Sequence, residues 1–325
     1  MTPLQFEALY REQWAELETL LDSLLGRTPA AAREEVPGVR VATLYRRACE
    51  QLALARARSY PAYLVDRLER LTADGHQVIY RQHEFGLARM RTILSVDFPR
   101  AVRAQRWYVA AAAALLILPT IAVGLLVYRH PELILSVVSA ETAARFEEMY
   151  SPDAESIGRV REASTDWMMF GFYIRNNIGV AFQCFAGGLF AGLGSLFFLA
   201  YNGGFSGAIA GYLTERGMAP TFYAFVATHS AFELTAIVLS GAAGLRIGHA
   251  LLAPGRLTRR EALVEATRES AVILYGVVAM LLIAAGIEAF WSSAPWLASS
   301  IKFTVAGLCW AAMFAYFILQ GRRAA

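Results

Sequence analysis

The stretch "VAAAAALLILPTIAVGLLVY", Val109–Tyr128, decides the fold class of this 325-residue chain. It holds twenty residues without a charge. At 1.5 Å rise per residue, about 20 apolar residues span the ~30 Å hydrocarbon layer of a bilayer. The spacing therefore predicts a transmembrane helix over about 107–128. Arg100, Arg103 and Arg106 precede it, then Trp107 and Tyr108. Basic residues mark a helix end as cytoplasmic, and aromatic residues mark the interface. The whole chain is 56% hydrophobic with mean hydropathy +0.40, above the roughly 45–50% apolar content of soluble domains.

Upstream, residues 1–106 read as a soluble domain, with 16 Arg and 13 Asp or Glu. Acidic Glu7 and the lack of an apolar core in Met1–Arg11 do not fit a signal peptide, so a cytoplasmic N-terminal domain is expected over 1–100. Tyr10, Trp14, Leu17, Leu21 and Leu24 lie at helical spacing, and Gly26 is placed to end that helix. Val41, Leu44, Tyr45, Ala48, Leu52 and Ala55 form a second stripe, ended by "SYP" at 59–61, since the residue before proline disfavours helix. Two further helices are expected at 61–72 and 76–97, separated by "ADG". The expectation is a small helical bundle whose stripes are core.

Downstream, residues 101–325 read as a transmembrane domain. Residues 129–176 carry 8 acidic and 5 basic side chains, which suits an outer segment over 129–170. Within it, 141–150 and 167–177 read as interfacial helices. Residues 176–214 contain no charged side chain. "YNGGFSG" at 201–207 reads as a helix breaker, predicting one helix at about 177–200 and a short or re-entrant one at about 203–213. Further helices are expected at 221–249, 270–290 and 301–320. "APGRLTRREALVEATR" (253–268) carries four Arg, and Arg322 and Arg323 close the chain. With the segment before Trp107, these points read as cytoplasmic. Both termini then share one side, and about six crossings are required. The expected fold class is all-α, a polytopic membrane bundle with an N-terminal soluble helical bundle and both termini on the cytoplasmic side.

Gly203, Gly207 and Gly211 recur every four residues, as do Gly188 and Gly192, and Ser240, Gly244 and Gly248. Small residues at this spacing let helix backbones approach closely in lipid. Packing within one bundle and a homodimer seam both fit the pattern.

"ATHSAFELTA" places His229 and Glu233 one turn apart in the 221–249 segment. A charged acid there costs ~2.5–3.5 kcal/mol on insertion scales, so it must be protonated, paired or facing a polar cavity. Asn176, Asn177 and Asn202 are further members of an intramembrane polar cluster, with Asn202 bonding backbone freed at the helix break. Three readings of the pair stay open: a structural contact that pins helix register, a transport or proton-relay site, and metal or catalytic chemistry. Against the last, His-x-x-x-Glu gives two ligands where catalytic zinc wants three. No HExxH or GxSxG motif occurs. Cys49, Cys184 and Cys309 are widely spaced and read as buried thiols. Glu288 and Lys302 flank the outer loop at 291–297, are placed to pair there, and are assigned no role. No catalytic residue, cofactor, metal or nucleic-acid partner is expected.

"YIRNNIGVAF" (173–182), "YNGGFSGAIAGY" (201–212) and "HSAFELTAIVLSGAAGLRIG" (229–248) carry a resemblance, supported by "LYRRACEQLALAR" (44–56), "HQVIY" (76–80), "FPRAVR" (98–103) and "LLAPGR" (251–256). In this order they resemble the stage II sporulation protein M family of bacterial integral membrane proteins, in the longer form with an N-terminal cytoplasmic helical domain. Ser230 stands where the family's best-known form has Gly after the His. The resemblance implies a non-enzymatic envelope scaffold that recruits protein partners. It names MoxR-type AAA+ ATPases and RDD-type membrane proteins as partners of the longer relatives. The alternative reading is a transporter or channel, possibly proton-coupled, that uses His229 and Glu233.

Overall fold

A computed structural model describes residues 1–27, 38–79, 87–153, 166–294 and 296–322. Twelve α-helices and short 3-10 and π segments make up these residues, with no strand among them. The chain divides into two compact units, Met1–Arg89 and Met90–Ala325. The boundary thus precedes the expected one at 100, because Phe98 is buried in the second unit, its ring against Gly276.

The first unit contains α1 (Pro3–Leu24), α2 (Gly38–Ala57) and α3 (Ala62–Ile79). Thr2 and Gln5 close a capping box on α1, which satisfies two otherwise free backbone donors. Phe6, Trp14, Leu17 and Leu21 meet Val41, Leu44, Ala48, Leu64, Leu68 and Leu71 in one core. Trp14 Nε1 donates to buried Gln51 Oε1 at 2.6 Å. Arg40 donates twice to Glu16, at 2.7 and 2.6 Å, and holds that carboxyl below its ordinary range. "ADG" does not interrupt α3. Gly75 lies inside the helix because a Cβ there would be 2.6 Å from the Tyr45 ring; the glycine serves contact rather than turning. Residues 80–86, where the expected 76–97 helix would run, lie outside the described residues.

In the second unit, α4 (Leu87–Thr92), a π segment (Ile93–Asp97) and α5 (Phe98–Ala104) lead into α6 (Arg106–Arg129). After α6 come α7 (Ala140–Tyr150), α8 (Asp166–Ala186), α9 (Leu193–Glu215), α10 (Ala219–Leu252), α11 (Arg259–Gly286) and α12 (Ser299–Leu319). Residues 154–165 of the expected outer segment lie outside the described ones. Five stretches are long and apolar enough to cross a membrane: Arg106–Arg129, Leu193–Glu215, Ala219–Leu252, Arg259–Ser292 and Ser299–Leu319. Their outward faces are apolar, with Ile117, Leu118, Ile121 and Leu125 exposed on α6 and Leu308, Phe314 and Ile318 on α12. Apolar exposure of this extent marks a lipid-facing surface. Helix α10 is the central element, packed against α6, α8, α9, α11 and α12.

Contacts fix the direction of each helix. The start of α6 meets the end of α10 through Tyr108 and His249. Arg103 caps the end of α12, donating to Phe317 O and Gln320 O at 2.8 Å each. At the opposite end, Tyr212 donates to Glu147 at 2.5 Å and Thr228 to Lys302 O at 3.2 Å. Helix α8 ends beside the last turns of α10, where a Cβ on Gly188 would lie 2.1 Å from Gly244 O. Helices α6, α8, α9, α10, α11 and α12 therefore traverse the unit six times, and its two chain ends meet at one end of the bundle.

Three expected boundaries are corrected. The helix predicted at 177–200 is two helices: α8 stops at Ala186, a 3-10 turn covers Gly187–Leu189, and Gly192 takes the left-handed conformation at φ +85° before α9 starts. The predicted short or re-entrant helix at 203–213 is the second half of continuous α9. A break in lipid would free backbone groups with no water to satisfy them; the glycines of "YNGGFSG" instead face α6. The helix predicted at 270–290 begins at Arg259, capped by Thr258 and Glu261. The T-x-x-E signal for that start was present in the sequence.

Candidate functional site at the crossing of α10 and α11

The glycine spacings meet backbone. A Cβ on Gly203, Gly207 or Gly211 would lie 2.2 Å from Leu116 O, Thr120 O or Gly124 O, respectively. These register pairs run in the same order, so α6 and α9 are parallel and in close backbone contact. A Cβ on Gly248 would fall 2.3 Å from Gly192 N, and one on Gly244 2.3 Å from Ser195 Oγ. Ser195 Oγ itself donates to Cys184 O at 2.6 Å, satisfying a carbonyl left free at the end of α8. These contacts hold α8, α9 and α10 together within one chain.

Toward the other end, α10 carries buried Thr228 and His229. His229 Nε2 is 3.9 Å from Glu233 Oε2, as the i, i+4 spacing allows. Its Nδ1 lies 3.1 Å from Ser292 Oγ. The Phe225 ring stands edge-on to the imidazole at 5.4 Å. Helix α11 continues into a π segment, Ile287–Ser292. That wider turn carries Glu288 and Ser292 toward α10, and single π turns in helices often sit at functional sites. His229, Glu233 and Glu288 each offer a ligand atom within 4.8 Å of the others.

The surroundings are polar and enclosed. Asn177 of α8 is 3% exposed and its carboxamide faces Glu288. Neither Asn177 Nδ2 nor Glu288 Oε2 has a hydrogen-bond partner among the described residues. Asn176 Nδ2 donates to Asn177 Oδ1 at 3.0 Å. Lys302 of α12 is 1% exposed, and its Nζ donates to Ser292 O at 2.8 Å. Among the described residues no ion pair joins Lys302 to either carboxylate. Tyr150 of α7 lies close by; burial first, then the Glu288 and Glu233 carboxylates, push its phenol up.

The fold thus brings together His229, Glu233 and Asn177, with Asn176 one bond removed. Asn202 is not among them: its Nδ2 donates to Phe198 O, one turn back on α9, at 2.7 Å. It sits inside a continuous helix rather than at a break. The sequence reading missed Glu288, Ser292 and Lys302, and the statement that His229 and Glu233 have no third ligand is corrected by Glu288. Fifty-five residues separate Glu233 from Glu288, and only the antiparallel packing of α10 on α11 joins them. An acid at the end of an otherwise uncharged helical stretch was the one available signal.

The sequence model for stage II sporulation protein M matches residues 113–293. A second model, for a domain of unknown function (DUF8413), matches residues 4–81, within the first compact unit. No curated protein and no solved structure matches the chain. The match to the first model covers more than half of the chain and takes in α8 to α11 with His229, Glu233 and Glu288, so this protein belongs to the stage II sporulation protein M family.

Proposed function

We propose that this chain is a non-enzymatic scaffold of the bacterial cytoplasmic membrane that recruits envelope proteins, with both termini on the cytoplasmic side. The observation that carries the reading is the pairing of a separately cored helical unit, covered by its own family model, with a multi-pass bundle. A folded domain held beside a membrane is a docking platform. Sidedness is supported by the arginines: Arg100, Arg103, Arg106, Arg256, Arg259, Arg260 and Arg322 belong to the end of the bundle where α6 starts and α12 stops, and the excess of Arg favours the cytoplasm. A MoxR-type AAA+ ATPase and an RDD-type membrane protein are the partners to look for first.

The test is affinity capture of the full chain from native membranes in mild detergent, with cross-linking. The reading expects an envelope protein or AAA+ ATPase that is lost when exposed charges of the first unit, such as Arg46 and Arg47, are reversed. Capture of the bare protein, together with unchanged envelope growth after deletion, overturns it.

A proton-coupled transporter or channel is the second reading. One observation favours it: three ionisable side chains converge inside the membrane unit, and such residues mark ion pathways. Flux in proteoliposomes that Glu233→Gln abolishes supports it. Flux no higher than in empty liposomes across a broad substrate panel removes it.

A further inference from the structure

We propose that His229, Glu233 and Glu288 form a binding site for one divalent transition cation, best matched by Zn2+, between α10 and the π turn that ends α11. The proposal goes beyond the scaffold reading and does not depend on it.

The donor set is one imidazole nitrogen and two carboxylate oxygens. Zinc takes this set with three protein ligands and keeps a fourth position for water. Imidazole directs selection toward Zn, Cu, Fe or Ni rather than Mg or Ca. The ligand atoms lie within 4.8 Å of one another, and His229 Nε2 and Glu233 Oε2 are 3.9 Å apart. Tetrahedral bonds of about 2.0–2.2 Å need separations of about 3.4 Å. Side-chain rotations that move the ligand atoms inward by about 1 Å close that difference, with no movement of the helices.

The outer contacts are those of a ligand set. A metal-bound imidazole donates its second N–H to a neighbour, which fixes tautomer and ring direction. Ser292 Oγ stands at 3.1 Å from His229 Nδ1, and with that nitrogen as donor, Nε2 turns its lone pair toward Glu233. Asn177 Nδ2, buried and unpartnered beside Glu288, is placed to donate to a ligand carboxylate once Glu288 is fixed. Charge argues the same way. Two carboxylates and a neutral imidazole leave two negative charges in a membrane interior, where an uncompensated charge is expensive. The Lys302 ammonium keeps its charge when it donates to the Ser292 carbonyl, but one positive charge does not balance two carboxylates, and a dication bound between them does.

The test uses the full chain in detergent, stripped with a chelator, freed of it and titrated with Zn2+ and with Co2+. One equivalent of Zn2+ per chain is expected, with the visible absorption of a low-coordinate Co2+ complex. Glu288→Gln, which keeps the shape of the side chain, should weaken Zn2+ binding by more than the roughly 10–100-fold seen on losing an outer contact. Ser292→Ala should weaken it by about tenfold. Glu269→Gln, which removes the partner of Arg246 elsewhere in the bundle, should bind as wild type. Circular dichroism shows that each variant is folded. Substoichiometric Zn2+ in the wild type overturns the proposal, as does a Co2+ spectrum like that of the free aqua ion. Wild-type affinity in a folded Glu288→Gln variant does the same.

Discussion

The two halves of α10 are built on opposite principles. From Ser240 to Gly248 the helix presents small residues, and Gly244 and Gly248 lie against the backbone of residues 184–195 with no room for a Cβ. From Thr228 to Glu233 it presents polar side chains to the π turn after α11 and to α12. In lipid there is little hydrophobic gain in bringing helices together, so contact must come from close packing or from hydrogen bonds. One helix uses both, each near its own end. The close-packed half tolerates no added atom. The polar half depends on a few specific partners, each worth less.

That difference is broken most sharply at the α6–α9 seam, which shares the first principle. Gly207→Val drives side-chain atoms into Thr120 O, already 2.2 Å from an added Cβ. A stability loss of about 3 kcal/mol is expected from such overpacking, read as a lower midpoint in denaturant unfolding in detergent. Gly204, on the next position of the same helix, is the internal control. A Cβ there meets only Val123 Cγ2 at an ordinary 3.6 Å, so Gly204→Ala should shift stability by no more than about 0.5 kcal/mol. Equal losses at 204 and 207 would show that proximity to the α6 backbone does not govern the seam, since helix propensity favours both replacements over glycine.

A smaller effect is expected in the polar half. Ser292→Ala removes the hydroxyl beside buried His229 Nδ1 and leaves the Ser292 O contact with Lys302 intact. Losing one partner of a buried polar group costs about 1–3 kcal/mol, and the same unfolding assay measures it. No change would mean that His229 finds another partner without cost.

The same contrast explains what the sequence reveals. The glycine seam is written locally: Gly203, Gly207 and Gly211 fall on one helix face, and spacing alone marks that face for contact. The uncharged run Val109–Tyr128 marks its helix for the same reason, since crossing a bilayer needs only length and apolarity. Helix ends were less legible. Gly187 and Gly188 lie in a 3-10 turn and Gly192 turns the chain, while Gly203 and Gly207 stay helical, and composition is alike at both places; backbone lies against Gly188 as closely as against Gly203, and what differs is the left-handed conformation at Gly192, which composition does not reveal. Glu288 was legible only as an oddity. Its partners lie on other helices, and periodicity holds no information about which helices become neighbours. The His229–Glu233 pair was visible because it lies within one turn, whereas the constellation around it needed the fold.

The central claim is that residues on α10 and on the π turn after α11 act as one unit inside the membrane bundle. A double-mutant cycle of His229→Ala and Glu288→Gln, measured by reversible unfolding in detergent, tests it most directly. Residues in one polar network show interaction energies of about 0.5–3 kcal/mol, whereas independent sites add within about 0.3–0.5 kcal/mol. The account predicts a coupling in the first range; additivity within the second would contradict it.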